Sequence, residues 1–169
     1  MRYILSQHRV RPDSWAYLEE PHAEGEPLIV SLEALRRERE RWWNWRGRLG
    51  ALLAPADRVE ELAADLPRLD LVAVRFPLPG EGRGFTQLRL LRERYEFSGE
   101  LRACGPGATA EIALLLARCG ADAFELAVPE AAASFLAALA RYEVAYQPGA
   151  PAVALRRQRF RPPANAAAD

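Results

Sequence analysis

Three glycines, one carboxylate and one guanidinium make up GEGRG at residues 80–84, between the apolar run LDLVAVRFP and the helical pattern FTQLRLL. A glycine-rich turn that opens a helix offers free N–H groups and the positive end of the helix dipole, which suit a small anion. Arg83 would add a forked, permanently charged donor, with Glu81 placed to orient it. A second turn of the same kind, RACGPGAT, follows the next strand-like run. Two such turns at neighbouring strand ends would line one rim, where ligands of parallel sheets bind. The candidate anion- or partner-binding set is therefore Glu81, Gly82, Arg83, Gly84, Thr86 and Arg102. The plainer alternative is that the glycines only permit φ > 0 in tight turns, with Arg83 paired to Glu81 or solvated.

Other chemistry-bearing residues are few. Cys104 ends the second of these strand-like runs and Cys119 closes the helical pattern after it, so they fall at opposite rims and do not form a redox pair. Each reads as a buried structural thiol. His8 and His22 lie far in sequence from the strand ends, which leaves little material for a histidine-based triad or metal site. Asp122 and Glu125 flank the start of a strand and are explained by capping or surface pairing. All the basic residues are arginine, so Schiff-base and Walker-type lysine chemistry is excluded. In WWNWR, Trp42 and Trp45 share a helix face. They either pack an N-terminal extension onto the core or form an exposed patch for a partner, since Trp and Arg dominate interface hot spots.

The elements that must position these residues alternate from Pro55 onward. ADRVEELAADLPRL predicts a short amphipathic helix with Asp57 as its N-cap, and LDLVAVRFP a strand covered on both faces. FTQLRLLRERYEF, ATAEIALLLARCG and EAAASFLAALARYE predict helices, while GELRACG, DAFELAVP and VAYQP predict strands. Before them, RYILS and SWAYLE form an expected hairpin around RPDS. Ser31 is an expected N-cap, and Gly47 and Gly50 end that helix. The expected fold is α/β, with a small mostly parallel sheet of three to four strands built from βαβ units and an N-terminal hairpin/helix extension. The expected division is an extension over 1–52, an α/β core over 53–147 and a fraying Pro- and Ala-rich tail over 148–169.

At 169 residues, with 23 basic residues against 23 acidic ones, no net field draws the chain to nucleic acid or an anionic membrane. No apolar run reaches membrane-spanning length and the start is too polar for a secretion signal, so a cytoplasmic location is expected.

The stretch from DLPRLDL through RFPLPGEGRGF and LLRERYEFSGELRACG, then LLLARCGADAFEL, resembles the bacterial family DUF934. Members of that family show Phe-Pro, then Asp-Gly-Arg-Gly-Tyr-Ser, then an LLRERLG…GELRA run and RCGFDAFEL. The resemblance extends back through EPLIVSLEAL to Asp13–Trp15. This chain departs from the pattern at Glu81, Phe85, Thr86 and Pro106. The resemblance implies an accessory protein of assimilatory sulfite reduction that binds the sulfite reductase hemoprotein or assists electron delivery to it. Some members carry an oxidoreductase label, but the sequence holds no flavin, haem or iron–sulfur motif, and no cofactor or metal is expected. The other readings are a protein or enzyme that binds a sulfur oxyanion or phosphorylated metabolite at the strand-end loop, and a homodimer held by the Trp-rich helix.

Overall fold

The computed structural model describes residues 2–141. Eight strands form one sheet: β1 (Tyr3–Ser6), β2 (Arg9–Pro12), β3 (Ala16–Tyr17), β4 (Leu28–Ser31), β5 (Leu49–Leu53), β6 (Leu71–Arg75), β7 (Glu100–Cys104) and β8 (Ala123–Leu126). Their order across the sheet is β2-β1-β8-β7-β6-β5-β4-β3. From β3 to β8 every neighbouring pair is parallel, whereas β1 runs antiparallel to both β8 and β2. The fold is α/β as expected, but the sheet is larger than three or four strands. Residues 3–53 supply five of its strands instead of an appended extension. The expected strand VAYQP and the tail 148–169 lie outside the described residues.

Five α-helices occur among the described residues: α1 (Leu32–Arg37), α2 (Arg39–Trp43), α3 (Arg83–Arg89), α4 (Ala113–Arg118) and α5 (Ala132–Leu139). All five bury their apolar residues in one cluster with Val30, Leu53, Val72, Val74, Leu101 and Phe124 of the sheet. The opposite face holds a smaller cluster of Trp15, Tyr17, Ile29, Leu52, Leu71, Ala73 and Cys104. This division follows from the two-residue period of a strand: in LVAVR, Val72 and Val74 face the helices while Leu71 and Ala73 face away.

Parallel strands in chain order, with helices on one face only, make a sheet that curls. β3 and β8 are five strand steps apart, about 24 Å in a flat sheet at 4.7–4.9 Å per strand. Yet the Tyr17 hydroxyl on β3 donates to Glu125 Oε2 on β8 at 2.7 Å. Asp13, just before β3, pairs with Arg102 of β7 at 2.9 Å, and Arg2 donates to the Trp15 carbonyl at 2.8 Å. The helix-free face is therefore the inside of a curl closed by polar side chains.

Several local expectations are corrected. The hairpin joins β1 to β2 through Gln7 and His8, both at positive φ (51° and 61°), and SWAYLE instead gives β3 at the far edge of the sheet. Ser31 does cap α1, its Oγ accepting from Ala34 N at 3.2 Å. The helix breaks at Glu38, and Gly50 lies within β5. ADRVEELAADLPRL forms two 3-10 turns (Val59–Leu62 and Leu66–Arg68), and Asp57 accepts from the preceding Ala54 N without capping them.

Candidate functional site

The curl opens at the carboxyl ends of its parallel strands into a cleft of about 720 Å³. Ser31 ends β4 there, Leu52 lies near the end of β5, and Arg75, Cys104 and Glu125 come from β6, β7 and β8. Arg75 and Cys104 are register partners, and Cys104 and Glu125 each lie two residues beyond the Arg102–Ala123 pair. A cation, a thiol and a carboxylate thus stand side by side on three neighbouring strands, all on the inner face. This placement matches the mouth of a (β/α) barrel, where functional groups project from the C-terminal strand ends.

The groups around this row are in different states. Arg2 is held by Asp13, Glu20 and the Trp15 carbonyl. Both oxygens of Glu20 are used, one by Arg2 and the other by Tyr17 N at 2.9 Å. The Tyr17 hydroxyl holds Glu125; burial, with the nearby Cys104 and Glu125, raises its pKa, so it remains a donor. Burial also pushes the Cys104 thiol up to about 12, and the Glu125 charge adds to this. The thiol donates weakly to the Val74 carbonyl at 3.4 Å and is not a nucleophile at neutral pH. Among the described residues the exposed Arg75 guanidinium makes no hydrogen bond or ion pair.

The residues singled out from sequence are not gathered in this cleft. Arg83 is exposed at the start of α3 and does not line it. Glu81 accepts the backbone N–H of Arg83 at 3.1 Å, so it fixes the turn and does not orient the guanidinium. The glycine at 84 is required by packing, because a Cβ there would sit 2.5 Å from the Phe76 ring. Gly82 meets no such limit, and Thr86 faces a shallow surface groove with Arg89 and Glu93. In the second turn a Cβ at Gly107 would lie 2.3 Å from the Leu78 carbonyl oxygen of the first, so this glycine is set by the packing of one loop on the other, whereas Gly80 and Gly105 sit at positive φ (88° and 91°).

Arg102 is fully buried in mid-strand, bonded to Asp13 and to Glu100 Oε1 at 3.1 and 3.0 Å. Burial alone would lower its pKa, but the Asp13 and Glu100 carboxylates outweigh that and raise it. It closes the curl and cannot converge with Arg83 at a rim. The tryptophan patch is corrected too. Trp42 is 1% exposed and donates to the Ala34 carbonyl at 2.9 Å; Trp45 is half-buried against it, ring centroids 6.2 Å apart. The exposed member of the cluster is Trp43, at 40%.

The cleft lies at the carboxyl ends of the strands, as do the glycine-rich turns, but Arg75 and Tyr17 are not among the expected site residues and Glu125 is assigned from sequence to capping or surface pairing. Arg75 had a readable signal, a charge closing an otherwise apolar strand. Tyr17 and Glu125 had none, because only the curl brings them together.

The family model described as "Bacterial protein of unknown function (DUF934)" matches residues 50–154, more than half of the chain. Among curated proteins no match was found.

Proposed function

The chain belongs to the DUF934 family, and from that premise we propose a cytoplasmic accessory protein of assimilatory sulfite reduction whose working part is the strand-end cleft. There it holds a small molecule through an oxyanion group, either a sulfur oxyanion or a phosphate. The observation that carries this reading is Arg75, a guanidinium at the cleft whose donors are unspent among the described residues. Forked N–H donors match the geometry of such groups. The sulfite-reduction context comes from the family resemblance. The test is calorimetric titration of the full chain with sulfite and with phosphate. Arg75→Gln should weaken binding about tenfold, the scale of one charge-assisted hydrogen bond, and Arg83→Gln should leave it unchanged. Equal binding by wild type and Arg75→Gln, or loss on Arg83→Gln alone, rejects the cleft as the site.

One observation favours a second reading, docking to the sulfite reductase hemoprotein through the outer surface. Trp43 is exposed and stacked between two guanidinium groups, Arg39 at 4.7 Å and Arg68 at 5.0 Å from its ring centroid. Exposed Trp and Arg together are the residue types that anchor interfaces. Size-exclusion co-elution with the hemoprotein at low and moderate salt should give a joint peak that Trp43→Ala abolishes. Separate elution at both salts rejects a stable complex.

A further inference from the structure

The cleft carries more charge than one oxyanion group needs. Two guanidinium groups, Arg2 and Arg75, face four carboxylates, Glu19, Glu20, Asp57 and Glu125. Arg75 serves the oxyanion group, and the surplus of negative charge suits a cationic group on the same ligand.

Pairing within the protein removes most of these groups from consideration. Arg2 and Glu20 satisfy each other and the β3 backbone, and Asp57 accepts from Ala54 N at 2.7 Å. Among the described residues only Oε2 of Glu125 is hydrogen-bonded, to Tyr17, with the Arg2 charge nearby. Among the described residues the inner row therefore presents one cation without a hydrogen bond or ion pair, Arg75, and one carboxylate bonded through a single oxygen, Glu125. The neutral Cys104 thiol lies between them. Arg75 and Glu125 stand two strands apart, so their backbones are separated by about 10 Å. Side chains reaching inward from both ends leave room for a small molecule to bridge them. Leu52, Pro77 and Pro106 supply apolar wall for the rest of the ligand.

We propose that the ligand is a zwitterion of the amino-acid class, its anionic group on Arg75 and its ammonium group on Glu125, with the neutral Cys104 thiol as the floor between. The Tyr17 hydroxyl positions the carboxylate. This inference rests on the reading of the cleft as an oxyanion-group site and adds the second charge. It accounts for a carboxylate, bonded through one oxygen to Tyr17, in a cleft that also receives an anion.

The experiment is titration of the full chain with each common L-amino acid, its N-acetyl derivative and its methyl ester, alongside sulfite and phosphate. At least one free amino acid should bind about tenfold more tightly than either blocked form, the worth of one added ion pair of about 1.4 kcal/mol. Glu125→Gln keeps an acceptor for Tyr17, and it should erase the difference between free and N-acetyl forms without weakening the N-acetyl form. Arg75→Gln should weaken both. If N-acetyl forms bind as well as free ones, the zwitterion inference falls while the oxyanion reading stands. If no amino acid, blocked form or inorganic anion binds, both fall together. Unfolding midpoints of the two variants equal to wild type show that any loss comes from the cleft.

Discussion

Arg102 and Arg83 show how little residue type says about role. Both neighbour a glycine-rich turn and both carry the same charge, yet one is fully buried within a strand and the other exposed at a helix start. Arg102 pairs with Asp13, whose side chain is 2% exposed, at 2.9 Å, and its loss would leave that buried carboxylate only the longer 3.3 Å contact with Arg2. Removing one partner of a buried ion pair typically costs about 3–5 kcal/mol, whereas exposed positions away from such pairs change stability within about 0.5 kcal/mol. Urea unfolding of Arg102→Ala should therefore show a loss in the first range and Arg83→Ala one in the second. Equal losses would mean that the network joining Asp13, Arg102 and Glu100 does not hold the curl. The buried Arg92 belongs to the same category, since it spends its donors on the Phe97, Gly99 and Gly120 carbonyls and on Asp122.

Among the elements, β6 was readable because its apolar run is continuous, as a strand buried on both faces must be. The capped start of α1 was readable because Ser31 precedes a helical period. The β1–β2 hairpin was not. Its turn residues Gln7 and His8 lack the Asn-Gly or Asp-Gly signature that positive φ at both positions usually demands. The polar RVRP beyond that turn becomes an exposed edge strand, its arginines and proline guarding an open ladder. The segment ADRVEELAADLPRL had an amphipathic period but gives only 3-10 turns. Asp57 bonds backwards to Ala54 N, and Gln87 donates to the Ala54 and Asp57 carbonyls at 2.8 and 2.9 Å, so side chains pin this connection instead of a helical ladder. Gln87 thereby steadies one wall of the cleft from behind. Both glycine-rich turns fall where the sequence places them; in them Gly84 and Gly107 are set by close packing against Phe76 and Leu78, and Gly80 and Gly105 by positive φ.

For the whole molecule, the family match begins at residue 50, which is already inside β5. A fragment starting there lacks β1 to β4. It would leave Leu52, Leu71, Ala73 and Cys104 without Trp15, Tyr17 and Ile29, the rest of the inner cluster. It would also leave Arg102 without Asp13. Expressed alone, residues 50–169 should show no cooperative thermal transition and should bind a hydrophobic dye, while the full chain unfolds in one step. A cooperative transition in the fragment would mean that the first four strands are dispensable. No helix among the described residues is long and apolar enough to cross a membrane.

The sequence by itself determined the α/β class, most strand and helix locations after residue 70, and the end of the sheet at which a site should lie. Those features depend on local period, capping and the direction of parallel strands, all of which are written in neighbouring residues. Only the tertiary structure decided which charges meet. Arg2, Tyr17, Arg75, Cys104 and Glu125 are scattered over more than a hundred positions, and no local pattern links them. They converge because six parallel strands in chain order curl with their helices outside, and because Asp13 and Tyr17 on one edge bond to Arg102 and Glu125 near the other.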